Sequence, residues 1–576
     1  MLIGLFIYKA WFIMKNFTEK FFKVCPRSGK IRGIKRLEGL NKFLFPLIGL
    51  IALLWVLFRV VTKPTRINYP CVQAATPFAT GFIAYIGVLI ASFIVFLKTK
   101  KRLFLSPHLL SIGLLLCGFG GTYFLYDSAS NNEIKLSTAF HEANVPMGIG
   151  QGIFPGRVVW VHNPDATNEN CIPNKPGQAW WIPENNNQEV IDKMVSDALK
   201  EITGEATNAD AWDAIFKFHN NTRGKGSVVY APGEKIFIKI NNVSGWGGNY
   251  SNKDLSVVAN GSYGISETSP QIVLSVLRQL VNVVGVEQSD IYVGDPLRNT
   301  YKHCYDMWYA EFPNVHYVSN GNFTSLGRER VVKSTTAKIV YSDKGSILRE
   351  NVWDVMRPGG APIYDDYFYK QLEKAEYLIN LPMFKAHKRA GVTAFAKNHF
   401  GSHTRGDAAH LHNGLPAPRE LQNGVTYPGY GHYRVLVDLM MHELTGKKNL
   451  LYLADMLWST EYEIAVPVKF EMAPFNNDWT SSIFVSLDPV AIESVAYDIL
   501  RTEFTSERGL GTYPQMDGVD DYLHQAADST NWPEGIKYDP NNNGAAFVSL
   551  GVHEHWNNSV DMKYSRNLGG GEGIEL

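Results

Sequence analysis

Three long apolar stretches follow one another near the N-terminus, and they constrain the chain more than any other feature. They occupy residues 43–61 (FLFPLIGLIALLWVLFRVV), 78–97 (FATGFIAYIGVLIASFIVFL) and 109–126 (LLSIGLLLCGFGGTYFLY). Each is about the 20 residues that a helix needs to cross a bilayer, and almost no charge interrupts them. The spacing predicts three transmembrane helices within residues 43–126. Lys30, Arg32, Lys35, Arg36 and Lys42 precede the first, and Lys98, Lys100, Lys101 and Arg102 separate the second from the third. Arg59, near the end of the first stretch, and Lys63 and Arg66 are the only cations on the side that joins the first two. Positive charge favours the cytoplasmic side, so residues 1–42 are expected to be cytoplasmic, and three crossings carry everything beyond about residue 127 outside. The opening MLIGLFIYKAWFIM is short, is interrupted by Lys9, and has no small-residue cleavage site after it, so it does not read as a cleaved signal peptide.

The remainder has a different composition. Residues 127–154 read as a linker and 155–576 as one extracytoplasmic domain. Lys plus Arg equals Asp plus Glu at 55 each, so no net charge calls for nucleic acid. The chain has five cysteines and no CxxC, which speaks against a cysteine-ligated iron–sulfur cluster. Cys171 and Cys304 would be free to pair in an oxidising compartment. A βαβ rhythm runs through the domain. Strand-like VVWV (158–161), KIFIKI (235–240), DIYVG (290–294), YLIN (377–380) and LLYLA (450–454) alternate with helical patterns at 187–203, 269–284 and 489–501. This predicts an α/β fold, a mostly parallel sheet with helices on both faces.

The segment YLINLPMFKAHKRAGVTAFAKNHFGS, residues 377–402, concentrates the chemistry. Lys385 and Lys397 are cationic donors, His387 exchanges a proton near neutral pH, and Asn398 both donates and accepts. The loop around Gly391 and Thr393 would present backbone N–H groups to an anion at the following helix start. At the carboxyl ends of parallel strands, this set suits a carboxylate or phosphate; the bland alternative is solvated lysines and a histidine bonded to a loop carbonyl. Asp295 and Asp488 could serve as base or cation ligand; Asp488, just before Pro489, equally reads as a helix cap. Histidines cluster at His387, His399, His403, His410, His412 and His432. His399 and His403, four apart, would share a helix face, and His410 and His412 a strand face near Asp407. With Asp488 the first pair forms a candidate divalent-metal set. His553 and His555 form a second pair. The 404–430 region reads as a long functional or surface loop. DPNNNG at 539–544 resembles half a calcium loop, but position twelve is Leu550, so it reads as a turn.

Several of these segments resemble the family known as domain of unknown function 362 (DUF 362). Lys239 in KIFIKINN resembles its early strand ending in lysine and asparagine, and SPQIVLSVLRQLVNVVGVEQSDIYVGDP its next helix–strand unit, ending at Asp295. Lys385, His387, Gly391, Val392, Thr393, Lys397, Asn398, Phe400 and Gly401 resemble its central pattern. SLDPVAIESVAYDIL resembles its late helix start, with Glu493 where Asp is usual. PGRVVWVHNPDATN and the tail YSRNLGGGEGIEL look like a Bacteroidota subset. The resemblance implies an α/β domain and no established activity. The ferredoxin-like cluster domain and twin-arginine signal of many relatives are missing from this sequence.

Two functional classes remain open. One is a bacterial inner-membrane protein whose periplasmic domain binds or acts on a small anion, using Lys385, His387, Lys397, Asn398 and Asp295, with a divalent metal at His399, His403 and Asp488. The other is a non-catalytic envelope scaffold, with Trp160, Trp180 and Trp181 forming a glycan or partner surface.

Overall fold

The computed structural model describes residues 142–242, 250–259, 263–350, 360–416, 429–505, 508, 515–545 and 547–576, with short pieces at 22–24, 31–34, 52–53, 55, 58, 419–420 and 426–427. The chain divides into two compact units, Met1–Glu133 and Ile134–Leu576. In the first, Phe22–Val24 and Ile31–Ile34 pair as an antiparallel hairpin, and Ala52, Leu53, Trp55 and Phe58 are helical. Those four positions belong to the first apolar stretch. The rest of it, and the stretches at 78–97 and 109–126, lie outside the described residues. Among the described residues no helix is long and apolar enough to cross a membrane.

The second unit is built on an eight-stranded mixed sheet. Its strands are β1 (Val158–His162), β2 (Ile236–Ile240), β3 (Ile291–Gly294), β4 (His316–Ser319), β5 (Glu329–Arg330), β6 (Tyr377–Leu381), β7 (Asn449–Met456) and β8 (Ser482–Ser486). They lie in the order β1-β8-β7-β6-β2-β3-β4-β5. From β7 through β5 all neighbours are parallel, whereas β8 runs antiparallel to both β7 and β1. Helices cover both faces, as the alternation of strands and helices in the sequence predicts.

Side chains alternate across each strand, so a strand covered on both sides is apolar at most positions, and a polar residue in it needs a buried partner. β2, with the sequence IFIKI, is buried throughout. Ile236, Ile238 and Ile240 pack with α1 (Gln188–Thr203), α2 (Asn208–Thr222), α3 (Pro270–Arg278) and α4 (Lys302–Glu311). Phe237 points the other way, toward Tyr292 and Leu378. In β7 and β8, Leu451, Leu453, Ile483 and Val485 join the first core. Tyr452, Ala454 and Phe484 join a second core, with α5 (Val435–Met441), α6 (Pro489–Glu503) and α7 (Val519–Ala527). α1 begins where the Asn187 side chain accepts from the Val190 N–H and ends at Gly204, left-handed at φ 74°.

Several expectations change in the folded chain. Residues before 155 are part of the domain. Met147–Gly148 pairs with Val552–His553, and the Gln151 N–H donates to Asp488. Cys171 and Cys304 are separate buried thiols. Trp180 and Trp181 are buried in the core, whereas Trp160 is partly buried and stacks on Phe484 at 5.4 Å, so the three do not form one exposed aromatic surface. In the 404–430 region Gly406–Gly414 coils as a 3₁₀ helix that buries Ala408 and Leu411. The side chain of Asp407 lies outside the described residues. Asp539 does form a turn, accepting from the N–H groups of Asn543 and Gly544.

Candidate functional site

The carboxyl ends of β2, β3, β6 and β7 bring polar residues into the interior. Lys239 and Asn380 are partners across β2 and β6, and Lys239 is the partner of Gly294, the residue before Asp295. Lys239, Asn380 and Asp455 are fully buried and Asp295 nearly so. The Lys239 ammonium donates to Ile240 O at 2.6 Å and to Asn398 Oδ1 at 3.0 Å, and lies 3.4 Å from Asp295 Oδ2. Burial drives its pKa down and Asp295 partly restores it. Asn398 donates in turn to Lys239 O at 3.0 Å and to Asn380 Oδ1 at 2.8 Å. Its donors and its acceptor are thus engaged, and Asn398 acts as a clamp between two strands. Asp295 also accepts from the N–H groups of Asn242 and Leu297. A Cβ on Gly401 would stand 2.1 Å from Asp295 Oδ1, so this close approach requires glycine.

Above this layer, Lys385–His387 and Gly391–Thr393 pair as a short hairpin, followed by one helical turn, Phe395–Asn398. The turn does not offer its amino end to a ligand as the sequence suggests. Glu493 of α6 accepts from the Ala396 N–H at 2.7 Å and from Tyr522 Oη at 2.5 Å. A carboxylate of this chain thus fills the anion position. Burial pushes Glu493 up to about 7.

Three of the expected site residues converge here. Lys385 is buried and donates to Ser266 O, and burial lowers it to about 8 against the opposing pull of Glu267, Glu463 and Asp455. Lys397 is partly buried, with its ammonium 3.9 Å from the centre of the Phe400 ring. Among the described residues it has no hydrogen-bond or carboxylate partner in contact. Burial lowers it to about 7; Glu463 opposes the shift, while Arg389, Lys385 and Arg298 reinforce it. His387 Nδ1 accepts from the N–H groups of Arg389 and Ala390 at 3.0 and 3.1 Å, which assigns the proton of the neutral ring to Nε2. His412 lies 6.4 Å from His387 and 5.1 Å from Phe400, ring centre to ring centre, with Nδ1 facing Ala409 O at 3.3 Å. That contact assigns its proton to Nδ1. Burial, then neighbouring cations, holds both histidines well below their usual range. The set therefore combines an amine poised near neutrality, an Nε2–H donor and an Nε2 acceptor, inside a ring of cations.

The remaining expected residues go elsewhere. Asp295 and Asn398 form the supporting layer just described. His399 bonds Asn380 and Ser402, whereas His403 is extended, and its Nδ1 lies 3.3 Å from Tyr341 Oη and 3.9 Å from Asp366. The helix stops at Asn398, so the four-residue spacing does not put these two histidines on one face. Asp488 accepts from four backbone N–H groups, those of Val490, Ala491, Gln151 and Val552. It caps α6 and joins neither His399 nor His403. His410 meets Asp366 at 3.1 Å while His412 turns toward Phe400, because residues two apart on a 3₁₀ helix point different ways. Arg389, Glu463 and Arg298 are additions to the site. Arg389 adjoins the lysine–histidine motif and was readable there; nothing in the sequence ties Glu463 to it. A further cluster, Asp520, His524 and His553, brings potential metal-ligand atoms within 4.8 Å of one another.

Comparison with known proteins gives one family. Residues 255–498 match the family described as Domain of unknown function (DUF362). The match contains Asp295, Lys385, His387, Lys397, Asn398 and Glu493. No curated protein and no solved structure matches the chain.

Proposed function

We propose that the DUF362 domain of this chain binds a small anion, a carboxylate or phosphate, at Lys397, and that Lys397 exchanges a proton with it. The observation that carries this reading is an ammonium among Lys385, Arg389 and Arg298 that touches an aromatic face and no carboxylate. Such a group gains most from an incoming negative charge, which would return its pKa toward the ordinary lysine range. Once the anion is bound, the His387 Nε2–H would orient it, the Lys397 ammonium would hold it and donate a proton to it, and His412 would accept a proton from it. Asn398, Lys239 and Glu493 hold the turn that carries Lys397. We further propose that the apolar stretches anchor the chain in a bacterial inner membrane with this domain on the periplasmic side.

Titration of the full chain with inorganic phosphate and with succinate, for wild type and Lys397→Met, tests the binding claim. Wild type is expected to gain thermal stability with at least one anion, and the variant to need at least roughly tenfold more of it, a loss of about 1.4 kcal/mol. Identical curves for the two proteins would remove Lys397 from the site.

A further inference from the structure

Away from the lysine site, three elements turn pairs of residues toward one point. On α7, Asp520 and His524 are four apart and share a face. In the extended C-terminal segment, His553 and His555 are two apart and share a face, while Glu554 turns the other way to meet Ser565 and Ile574. On α6, Ser494 and Asp498 are four apart and stand behind the two histidines.

The hydrogen bonds fix which atoms face the centre. Ser494 Oγ donates to Val490 O at 2.7 Å, so it accepts at 2.8 Å from the His553 Nδ1–H. His555 Nδ1 donates to Asp498 Oδ1 at 2.6 Å, and the same carboxylate accepts from the Trp556 N–H and Tyr564 Oη. Both rings then turn Nε2 inward, where His553 Nε2 lies 3.5 Å and His555 Nε2 3.1 Å from Asp520 Oδ1. Tyr497 Oη, at 3.5 Å, and Arg501, at 4.0 Å, approach the other oxygen, Oδ2, which leaves Oδ1 facing the rings. The ring centres of His524 and His553 are 5.1 Å apart.

We propose that Asp520, His524 and His553 bind one divalent transition-metal ion of the zinc class, with His555 placed to complete a four-ligand set. Ligands about 2.0–2.2 Å from zinc stand roughly 3.3–3.6 Å apart in a tetrahedron, so atoms already within 4.8 Å need little movement to close on an ion. A histidine that presents Nε2 while Nδ1–H donates to a carboxylate or hydroxyl has the outer-shell arrangement of metal-bound histidines. All four residues are less than a tenth exposed, which suits a closed, structural site. The ion would pin the C-terminal segment to α7 at the place where Met147–Gly148 pairs with Val552–His553.

The test uses the full chain, stripped with a chelator, reloaded separately with zinc or cobalt, and desalted. Elemental analysis is expected to give about one ion per chain, and the cobalt form to show the strong visible bands of four-coordinate nitrogen and oxygen ligation. Asp520→Asn and His524→Gln are expected to lose stoichiometric binding, whereas His410→Gln keeps it. The thermal midpoint of wild type is expected to fall when the metal is removed. Absence of a bound ion in reloaded wild type, or binding undiminished in folded Asp520→Asn and His524→Gln, overturns the proposal. Should neither ligand variant fold, the wild-type cobalt spectrum decides alone, and a featureless spectrum overturns it.

Discussion

Lys397 carries two opposing demands. Its desolvated ammonium costs folding free energy, and the same desolvation is what prepares it for an anion. With the folded pKa near 7 and the unfolded value near 10.5, the unfolded chain binds more protons between those limits. Stability from this group therefore rises with pH across that window. Lys397→Met is expected to melt higher than wild type at pH 7 without ligand, and to show a shallower rise toward pH 10 in thermal scans. The anion needs the protonated amine, so affinity is expected to fall by about tenfold per pH unit above 7, read by calorimetry. Glu493 has the opposite sign. Its folded pKa of about 7 exceeds the ordinary 4.5, so its contribution is fully present below pH 4.5 and lost as pH rises through 7. Glu493→Gln is expected to flatten that decline while keeping the bond to Ala396. Glu493→Ala, which orphans the Ala396 N–H and Tyr522 Oη, is expected to cost about 2–4 kcal/mol in denaturant titration. At Gly401, alanine would push against Asp295, with an expected loss of about 1–3 kcal/mol.

Among the elements, α6 does most to assemble the domain. Its cap, Asp488, also accepts from Gln151 and Val552, so one carboxylate joins the start of the domain, a helix and the C-terminal strand. Asp488→Ala is expected to cost about 3 kcal/mol, more than an ordinary cap, measured by urea unfolding. The Asp-Pro signal for this helix was plain in the sequence, as were the apolar strands and the helix at 188–203, because local periodicity and caps suffice to write them. The amino end of the turn at 395–398 was not readable. Its occupant, Glu493, arrives from about a hundred residues downstream, and only packing of α6 under the hairpin brings the two together. The His399–His403 spacing misled for a local reason: the helix ends at Asn398, and His403 leaves in an extended conformation to bridge Phe368.

For the whole molecule, five of the eight sheet strands could be read from the sequence, but β4, β5, β8 and the strand order could not. Nothing local distinguishes β8, which runs antiparallel, from its parallel neighbours. The same holds for the metal-ligand cluster, where the His553–His555 pair was visible while its partners lie some thirty residues earlier on α7. The apolar stretches make a topological claim that is tested in cells. With Cys25, Cys71 and Cys117 replaced by serine, a cysteine at Leu576 is expected to react with a membrane-impermeant maleimide added to cells with a permeable outer layer, since Cys171 and Cys304 are buried. Labelling only after the inner membrane is broken would place the domain in the cytoplasm.

The most direct test of the lysine site is a titration of every lysine by NMR after reductive ¹³C-methylation, comparing wild type with Lys397→Arg. One resonance, missing from the variant, is expected to titrate near pH 7 and to move upward when phosphate is added. If every lysine resonance titrated at the ordinary value of about 10.4, and none responded to anions, Lys397 would be an ordinary solvated lysine.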